Sequence, residues 1–470
     1  MNLTSLLTDH PFSDDELLLH TVDRSVTAGD VRRAVAGWAK ALRESGLHPG
    51  QAVAAQLPNG PEAVIAMLGT WMADCVWVPV NPRSPSHEVD RVVDVTRPAA
   101  LLDESGLAPR ARGRTYEPGI AFVLWTSGTT GEPKAVLHTH EAYLELIDRV
   151  LGPLRPGPGD RSHRPTPNLI PVSLALNAGI YNALFGLRAG AALVIIDRFE
   201  ARGFADLVRR FQIRSTVLPP AAITMLNDDP HITDLSPLKY VRSITAPLSP
   251  LQARRFTEQF HAFVLNGYGQ AEIGEVIGWT AADAKGFPEK IGAVGRPHPG
   301  VKIKVVGDES RVLEPGGTGR LHVRPPNRAL GYAGGGDLDD RVDADGYLDT
   351  GDIARVDGDG FVWIEGRASD VINRGGNKVF PGDVEEVLRL SPAVADVAVV
   401  GAPDDRLGEV PVAFFTGEQA RAGELEALCR DHLAPYKVPV AFKHVGLLPR
   451  NEAGKLLRSE LVSRAIVEPS

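Results

Sequence analysis

The chain has 470 residues, with 50 Lys and Arg against 59 Asp and Glu and a formal net charge of −9. That acidity, with a pI of about 5.8, argues against nucleic acid or an anionic membrane as the main partner, so any nucleotide must be held by a local site. The length points to at least two domains, 43% apolar content with a mean hydropathy of −0.08 fits a globular chain, and two distant cysteines, Cys75 and Cys429, exclude a disulfide framework or a cysteine metal site. The N-terminal MNLTSLLTDHPFSDDE lacks a basic segment followed by an apolar block, and Arg188 breaks the best apolar run short of membrane-spanning length, so a cytoplasmic protein with no membrane partner is expected.

Val26 to Gly46 carries apolar residues at helical spacing and stops at a glycine. Gln51 to Leu57 reads as a strand, Pro61 to Ala73 as a second helix and Cys75 to Val80 as a second strand, an alternation that predicts a parallel sheet with helices on its faces. Ala121 to Trp125 reads as a buried strand, and Gly152 to Pro167 as a surface loop rich in proline, glycine and arginine. The rhythm returns with Ala191 to Ile196, Phe204 to Phe211, Ser215 to Leu218 and Leu251 to Phe260. From about Ile291 the texture becomes short alternating strands, Val301 to Val306, Gly319 to Val323 and Gly360 to Glu365, separated by glycine, proline and aspartate turns. Beyond Gly366, helices are expected at Gly382 to Leu390 and Gly423 to Leu433, with a strand at Val394 to Val400. The expected architecture is α/β: a large N-terminal domain, residues 1–368, of parallel-rich sheets with flanking helices and a β-rich subdomain, and a small mobile α+β domain, 369–470.

The 121–125 strand empties into Thr126, Ser127, Gly128, Thr129, Thr130 and Gly131, and then Lys134. Two glycines let successive N–H groups point into one concavity, the hydroxyls add donors, and the lysine adds a compact positive charge, which together suit a polyphosphate. The segment is not a Walker loop, because Glu-Pro-Lys follows Gly131. Taken alone, a flexible surface loop explains it equally well.

Four further segments follow in order: Asn266 to Glu272 (NGYGQAE), Tyr347 to Asp352 (YLDTGD), Gly366 to Pro381 (GRASDVINRGGNKVFP) and Pro449 to Lys455 (PRNEAGK). With the opening loop they resemble the adenylate-forming superfamily of acyl- and aryl-CoA synthetases, nonribosomal peptide adenylation domains and luciferases, over nearly the whole chain. The resemblance implies an ATP-dependent acid–CoA ligase. Such an enzyme turns a carboxylate into an acyl-AMP with loss of pyrophosphate, then passes the acyl group to a thiol, by positioning anions and neutralising developing charge. It implies ATP, Mg²⁺ and CoA as cofactors, a small carboxylic acid as substrate and a monomer or homodimer as the working form. In the family pattern the loop from Thr126 to Lys134 holds the β- and γ-phosphates, Glu272 binds Mg²⁺, and Tyr268 stacks on adenine within Asn266-Gly267-Tyr268-Gly269-Gln270-Ala271. Thr245, Ala246 and Pro247 line the adenine's other side, Asp352 accepts the ribose hydroxyls, and Arg367 reaches ribose or phosphate. Lys455 bridges the carboxylate and the α-phosphate. Ser369 falls at the hinge, and Arg374, Gly375 and Gly376 line the pantetheine tunnel.

The departures from the pattern are specific. Ala271 stands where threonine is usual, at a cost of about 1.5–3 kcal/mol for one hydrogen bond to an anion. Ala135 replaces a glycine after Lys134, and Ser369 replaces Asp or Lys. These allow a member specialised for the thioester half-reaction, and a stand-alone enzyme loading a separate carrier protein is a further alternative. The acid pocket is expected at Leu174, Leu176, Asn177 and Ala178, within PVSLALNAGIYNALFGLRAG. Asn177 replaces the aspartate that holds a substrate ammonium, so an α-amino acid is disfavoured and an apolar aryl, alicyclic or acyl acid, oxygenated or not, is expected. A helix-capping role accounts for Asn177 as well.

Overall fold

The computed structural model describes residues 2–126, 134–154, 165–244, 246–307, 310–335, 338–417, 421–450 and 456–467. The chain divides into two compact units: Met1–Gly128, Glu132–Lys302 and Arg324–Gly346 form the first, and Thr129–Gly131, Ile303–Val323 and Tyr347–Ser470 the second.

The first unit holds a seven-stranded and a nine-stranded sheet. In the seven-stranded sheet Ala52–Ala55, Val76–Pro79, Ala100–Asp103 and Ile120–Thr126 run parallel, with Ala52 opposite Val76. Gly106–Pro109 at one edge and Lys134–Thr139 near the other pair antiparallel. All four residues of Ala52–Ala55 are buried, as expected of a central parallel strand covered on both faces. The Ala28–Glu44 helix begins where Thr27 Oγ1 accepts the Asp30 N–H at 3.1 Å. It buries Val31, Val35, Ala39 and Leu42, and lies close enough to Pro61–Met72 that a Cβ on Gly69 would stand 2.6 Å from Trp38 Cδ1.

The nine-stranded sheet runs, from one edge, Arg296–Pro297, Gly274–Gly278, Phe263–Gln270, Tyr240–Ser243, Ser215–Leu218, Asn168–Ile170, Leu193–Ile195, Leu17–His20 and Ser25–Thr27. Its interior pairs are parallel; Gly274–Gly278, Arg296–Pro297 and Ser25–Thr27 are antiparallel. Phe122, Trp71, Tyr143, Leu184 and Leu193 share one core, in which Trp71 Nε1 donates to the Ala121 carbonyl at 2.7 Å. The parallel-rich reading is therefore correct, with antiparallel strands added at the margins.

Two segments without a reading of their own are regular. Lys134–Thr139 is a strand, and His140–Leu151 is a helix capped by Thr139, whose Oγ1 accepts the Ala142 N–H at 3.1 Å.

In the second unit, Lys302–Val306, Thr318–Arg324, Leu348–Val356 and Val362–Arg367 form a four-stranded sheet, matching the expected β-rich texture. A five-stranded sheet follows, from Asn377–Val379 through Ile372–Arg374 and Gly408–Gly417 to Val394–Asp404, with Ala441–His444 parallel to Gly408–Gly417. The Pro381–Leu388 and Ala422–His432 helices pack on it through Val384, Leu388, Leu425 and Cys429.

Candidate active site

Of the segment expected to hold phosphates, Ser127 to Pro133 lie outside the described residues, but Thr126 and Lys134, which bound them, are placed. Thr126 and Lys134 are a cross-strand pair, and Thr126 Oγ1 donates to the Lys134 carbonyl at 3.4 Å. Lys134 is exposed, with its Nζ 4.9 Å from the centre of the Tyr332 ring, within reach of a cation–π contact. Ala135, after it, is buried.

Asn266 to Gln270 occupy the end of the Phe263–Gln270 strand, and Ala271 to Ile273 turn the chain into Gly274–Gly278. Glu272 thus sits at a strand-to-strand turn. It is 8% exposed, so its charge must be met by neighbours. Its Oε1 accepts the Tyr332 hydroxyl at 2.9 Å and lies 3.4 Å from Arg341 Nη1, while its carbonyl accepts the Ala329 N–H at 2.7 Å. Burial, then the adjacent Glu272 carboxylate, push the Tyr332 phenol up to about 12, so it stays a donor at neutral pH. Arg341 Nη2 also reaches Gln270 Oε1 at 3.4 Å, and Gln270 Nε2 reaches the Tyr268 hydroxyl at 3.3 Å. Tyr332 and Arg341 have no local sign in the sequence, standing 60 and 69 residues from Glu272.

Glycine shapes this turn. A Cβ on Gly269 would stand 2.1 Å from the Gly274 carbonyl oxygen, and one on Gly274 (φ +66°) 1.7 Å from Leu146 Cδ1, both inside any van der Waals limit. Behind the strand pair, Glu275 accepts from the Arg242 guanidinium, and its Oε1 lies 3.1 Å from His298 Nε2. Burial pushes the Glu275 carboxyl up, but Arg242 and His298 outweigh it and hold it down at about 2.

Of the residues expected beside adenine, Thr245 lies outside the described residues. Ala246 and Pro247 follow the end of Tyr240–Ser243, and Gly267 N–H donates to Asn266 Oδ1 at 3.1 Å. In the second unit, strand register places Asp352 opposite Arg367. Arg367 Nε contacts Asp352 Oδ1 at 2.8 Å and its Nη1 donates to the Thr350 carbonyl at 3.2 Å, with the Asp352 side chain 5% exposed. Two residues picked from separate motifs are therefore one ion pair.

Ser369 lies in the Ala368–Asp370 3₁₀ turn, its hydroxyl 2.9 Å from Asp370 Oδ1. Gly375 and Gly376, at φ +56° and +88°, make the two-residue turn of the Ile372–Arg374/Asn377–Val379 hairpin. Arg374 Nη1 donates to the Tyr436 and Val438 carbonyls at 2.9 and 3.1 Å. Lys455 lies outside the described residues; the neighbouring Leu456 bridges antiparallel to Arg450.

On the acid side, Asn177 is the first residue of the Asn177–Arg188 helix, and the cap position is Leu176. Its amide is not a cap: Oδ1 accepts the Tyr143 hydroxyl at 2.8 Å. Leu174 and Ala178 are buried. An apolar recess is lined by Leu174 and Ala175 with Ala55, Leu57, Ala63, Met67, Trp77, Pro79 and Val80. Leu174 is the one predicted pocket residue on its wall.

With this geometry in place, comparison with known proteins is decisive. The AMP-binding enzyme family matches residues 9–116 and 109–333, and the AMP-binding enzyme C-terminal domain matches 383–455. The chain belongs to the AMP-binding enzyme family. It is 30% identical to the sulfoacetate–CoA ligase of Cupriavidus necator over 90% of this chain and 89% of that protein. It is 29% identical to the fatty acid–acyl-carrier-protein ligase ScoC of Streptomyces coeruleorubidus, over 94% and 92%. Among solved structures, the amide bond synthetase McbA of Marinactinospora thermotolerans superposes with a TM-score of 0.85 at 28% identity, over 98% of this chain and 99% of that one. Membership accounts for the parallel-rich sheets and for a catalytic role as a ligase. Among the described residues no group of three or more His, Cys, Asp or Glu could hold a metal, and no helix is long and apolar enough to cross a membrane.

Proposed function

We propose that this AMP-binding enzyme is an acid–thiol ligase: it activates a carboxylic acid as acyl-AMP with release of pyrophosphate, then transfers the acyl group to CoA. The observation that carries the reading is Glu272, a buried carboxylate held in place by Tyr332 and flanked by Arg341. Mg²⁺ usually takes one or two carboxylates and fills its remaining positions with phosphate oxygens and water, so a single glutamate at this turn fits it. Bound there, the ion would neutralise charge on the departing pyrophosphate.

The chain's own residues do the rest by position. Lys134 and the hydroxyls from Thr126 to Thr130 receive the β- and γ-phosphates, and Tyr268 with Ala246 and Pro247 flanks adenine. Asp352, pre-oriented by Arg367, accepts the ribose hydroxyls. Lys455 brings its charge to the α-phosphate and the acid carboxylate as the new P–O bond forms. It belongs to a C-terminal domain, 369–470, joined at Ser369, and Gly375 and Gly376 admit the thin pantetheine arm. Leu174, Leu176 and Ala178 give the acid an apolar berth, and Asn177 a polar mark. The protein acts in the cytoplasm as a monomer or homodimer.

The match to ScoC favours a carrier protein as the second candidate acceptor. The deciding experiment incubates the purified chain with ATP, Mg²⁺, an acid mixture and either CoA or a holo carrier protein, and reads thioesters by mass. An acyl-CoA is expected; a thioester on the carrier alone would select the second reading, and AMP release with neither thioester would reject both.

A further inference from the structure

The apolar recess walled by Leu174 and Ala175 is completed by side chains that have no part in the site described above. Ala55 and Trp77 come from two adjacent strands of the seven-stranded sheet, and Ala63 and Met67 stand one turn apart on the Pro61–Met72 helix. These four are between 2% and 5% exposed, whereas Leu57 and Ala175 are part-buried and mark the open side. No lining side chain is charged, and three of them are alanines, which leave the space unfilled.

The place of this recess in the fold links it to the acid. Ala52–Ala55, Val76–Pro79 and Ile120–Thr126 are neighbouring parallel strands, and Trp77 is opposite Phe122. Pro79 and Val80 are therefore level with Leu124 and Trp125, just short of Thr126. With strands about 4.8 Å apart, the recess sits roughly 5–10 Å from the strand end where the segment expected to hold phosphates begins. This is the carboxyl edge that α/β sheets use for ligands. On its other side Leu174 and Ala175 run straight into Leu176 and Asn177. Asn59 ties the two walls together: its Nδ2 donates to the Val172 and Ile196 carbonyls, both at 3.1 Å, and its Oδ1 accepts the Leu174 N–H at 2.8 Å. A recess held by three bonds from one side chain is pre-formed, so little ordering is needed to receive a group.

We propose that this recess receives the end of the acid remote from the reacting carboxylate, and that Ala63 and Met67 set the size of that end. The recess has room for about one water-sized group. The end that fits is an uncharged, methyl-sized tip, on an alkyl chain or on a ring. A second carboxylate, a sulfonate or an ammonium is excluded, because its charge would be buried among apolar side chains with no partner. The inference rests on the ligase reading, and it narrows the apolar acid to one with a compact, uncharged tip.

The test measures ATP-dependent pyrophosphate release by the full chain with two series of acids. One lengthens a straight chain by one methylene at a time; the other varies the far substituent of an aryl acid through hydrogen, methyl, propyl and carboxylate. Wild type is expected to have one best member in its preferred series, with kcat/KM lower by about tenfold or more for a tip one or two methylenes longer, and the carboxylate-ended acid poorer still. Met67→Ala opens the recess and should move the optimum to a longer member. Ala63→Val fills it and should move the optimum to a shorter one, with KM for ATP unchanged in both variants. Opposite shifts are a result that loss of stability alone does not produce. Two folded variants that keep the wild-type ranking, or a wild type that favours the carboxylate-ended acid, overturn the proposal and leave the recess a packing gap. If either variant does not fold, as judged by thermal melting, Ala175→Val decides: it fills the recess from its part-buried side and should also move the optimum to a shorter member. A folded wild type whose pyrophosphate release no acid increases overturns the ligase reading itself, an outcome distinct from turnover whose ranking the variants leave alone.

Discussion

Replacing Glu275 by Gln keeps the shape of the side chain and removes its charge from between Arg242 and His298. In the folded chain the carboxyl is held at about 2, against an ordinary value of 4.5, and its side chain is only 9% exposed. At about 1.36 kcal/mol per pH unit, that interval corresponds to roughly 3 kcal/mol. The figure agrees with the ~3–5 kcal/mol expected when one partner of a buried pair is removed. Because the folded value lies below the unfolded one, the stabilisation is fully present above pH 4.5 and is lost as pH falls through about 2. Wild type should therefore exceed Glu275→Gln by about 3 kcal/mol at pH 7, and by about 2 kcal/mol less than that at pH 3. Urea unfolding followed by tryptophan fluorescence reads the right part of the molecule, because Trp38, Trp71, Trp77, Trp125 and Trp279 all lie in the first unit and only Trp363 in the second. A difference that stays constant from pH 7 to pH 3, or no difference at pH 7, would refute the assignment of Glu275 as the charged centre of that cluster.

The proposed active-site residues make further demands. Tyr332→Phe removes a donor from the Glu272 carboxylate and should raise the Mg²⁺ concentration needed for half-maximal pyrophosphate release by about 10–100-fold, with little loss at saturating Mg²⁺; an unchanged Mg²⁺ curve would count against Glu272 as the metal ligand. Asp352→Asn should raise KM for ATP by about 10–100-fold and penalise 2′-deoxy-ATP less than ATP, so an equal penalty on both nucleotides would remove Asp352 from the ribose. Lys455→Ala should slow acyl-AMP formation by about 10²–10³-fold while sparing thioester formation from supplied acyl-AMP, and equal slowing of both steps would sink an adenylation-specific role.

The elements with strong periodicity were readable before any coordinates: Ala28–Glu44, Ala52–Ala55, Pro61–Met72 and Ser215–Leu218 fall where apolar spacing puts them. His140–Leu151 was readable too. Thr139 caps it and Tyr143, Ile147 and Val150 face the core, but the motif in front of it draws attention to the loop. Register was not readable, because nothing local in either segment says that Asp352 will face Arg367. The partners of Glu272 were hidden for a related reason: Tyr332 enters the site on a two-residue strand and Arg341 from a 3₁₀ turn, both brought in by sheet topology. Arg149 misleads in sequence, since an arginine in a helix normally reads as a solvated face. It is buried here because its helix packs between a second helix and the Gly274–Gly278 strand.

The turn at Gly269 and Gly274 bears on anyone wishing to re-engineer this enzyme for a new acid. With contacts of 2.1 and 1.7 Å awaiting any added carbon, these two positions are poor choices for randomisation: Gly269 meets rigid backbone, and Gly274 meets Leu146 and holds a positive φ that favours glycine. A directed-evolution library gains more from Ala175, Leu176 and Asn177, which are only part-buried and stand at the start of Asn177–Arg188, outside the strand pair that carries Glu272.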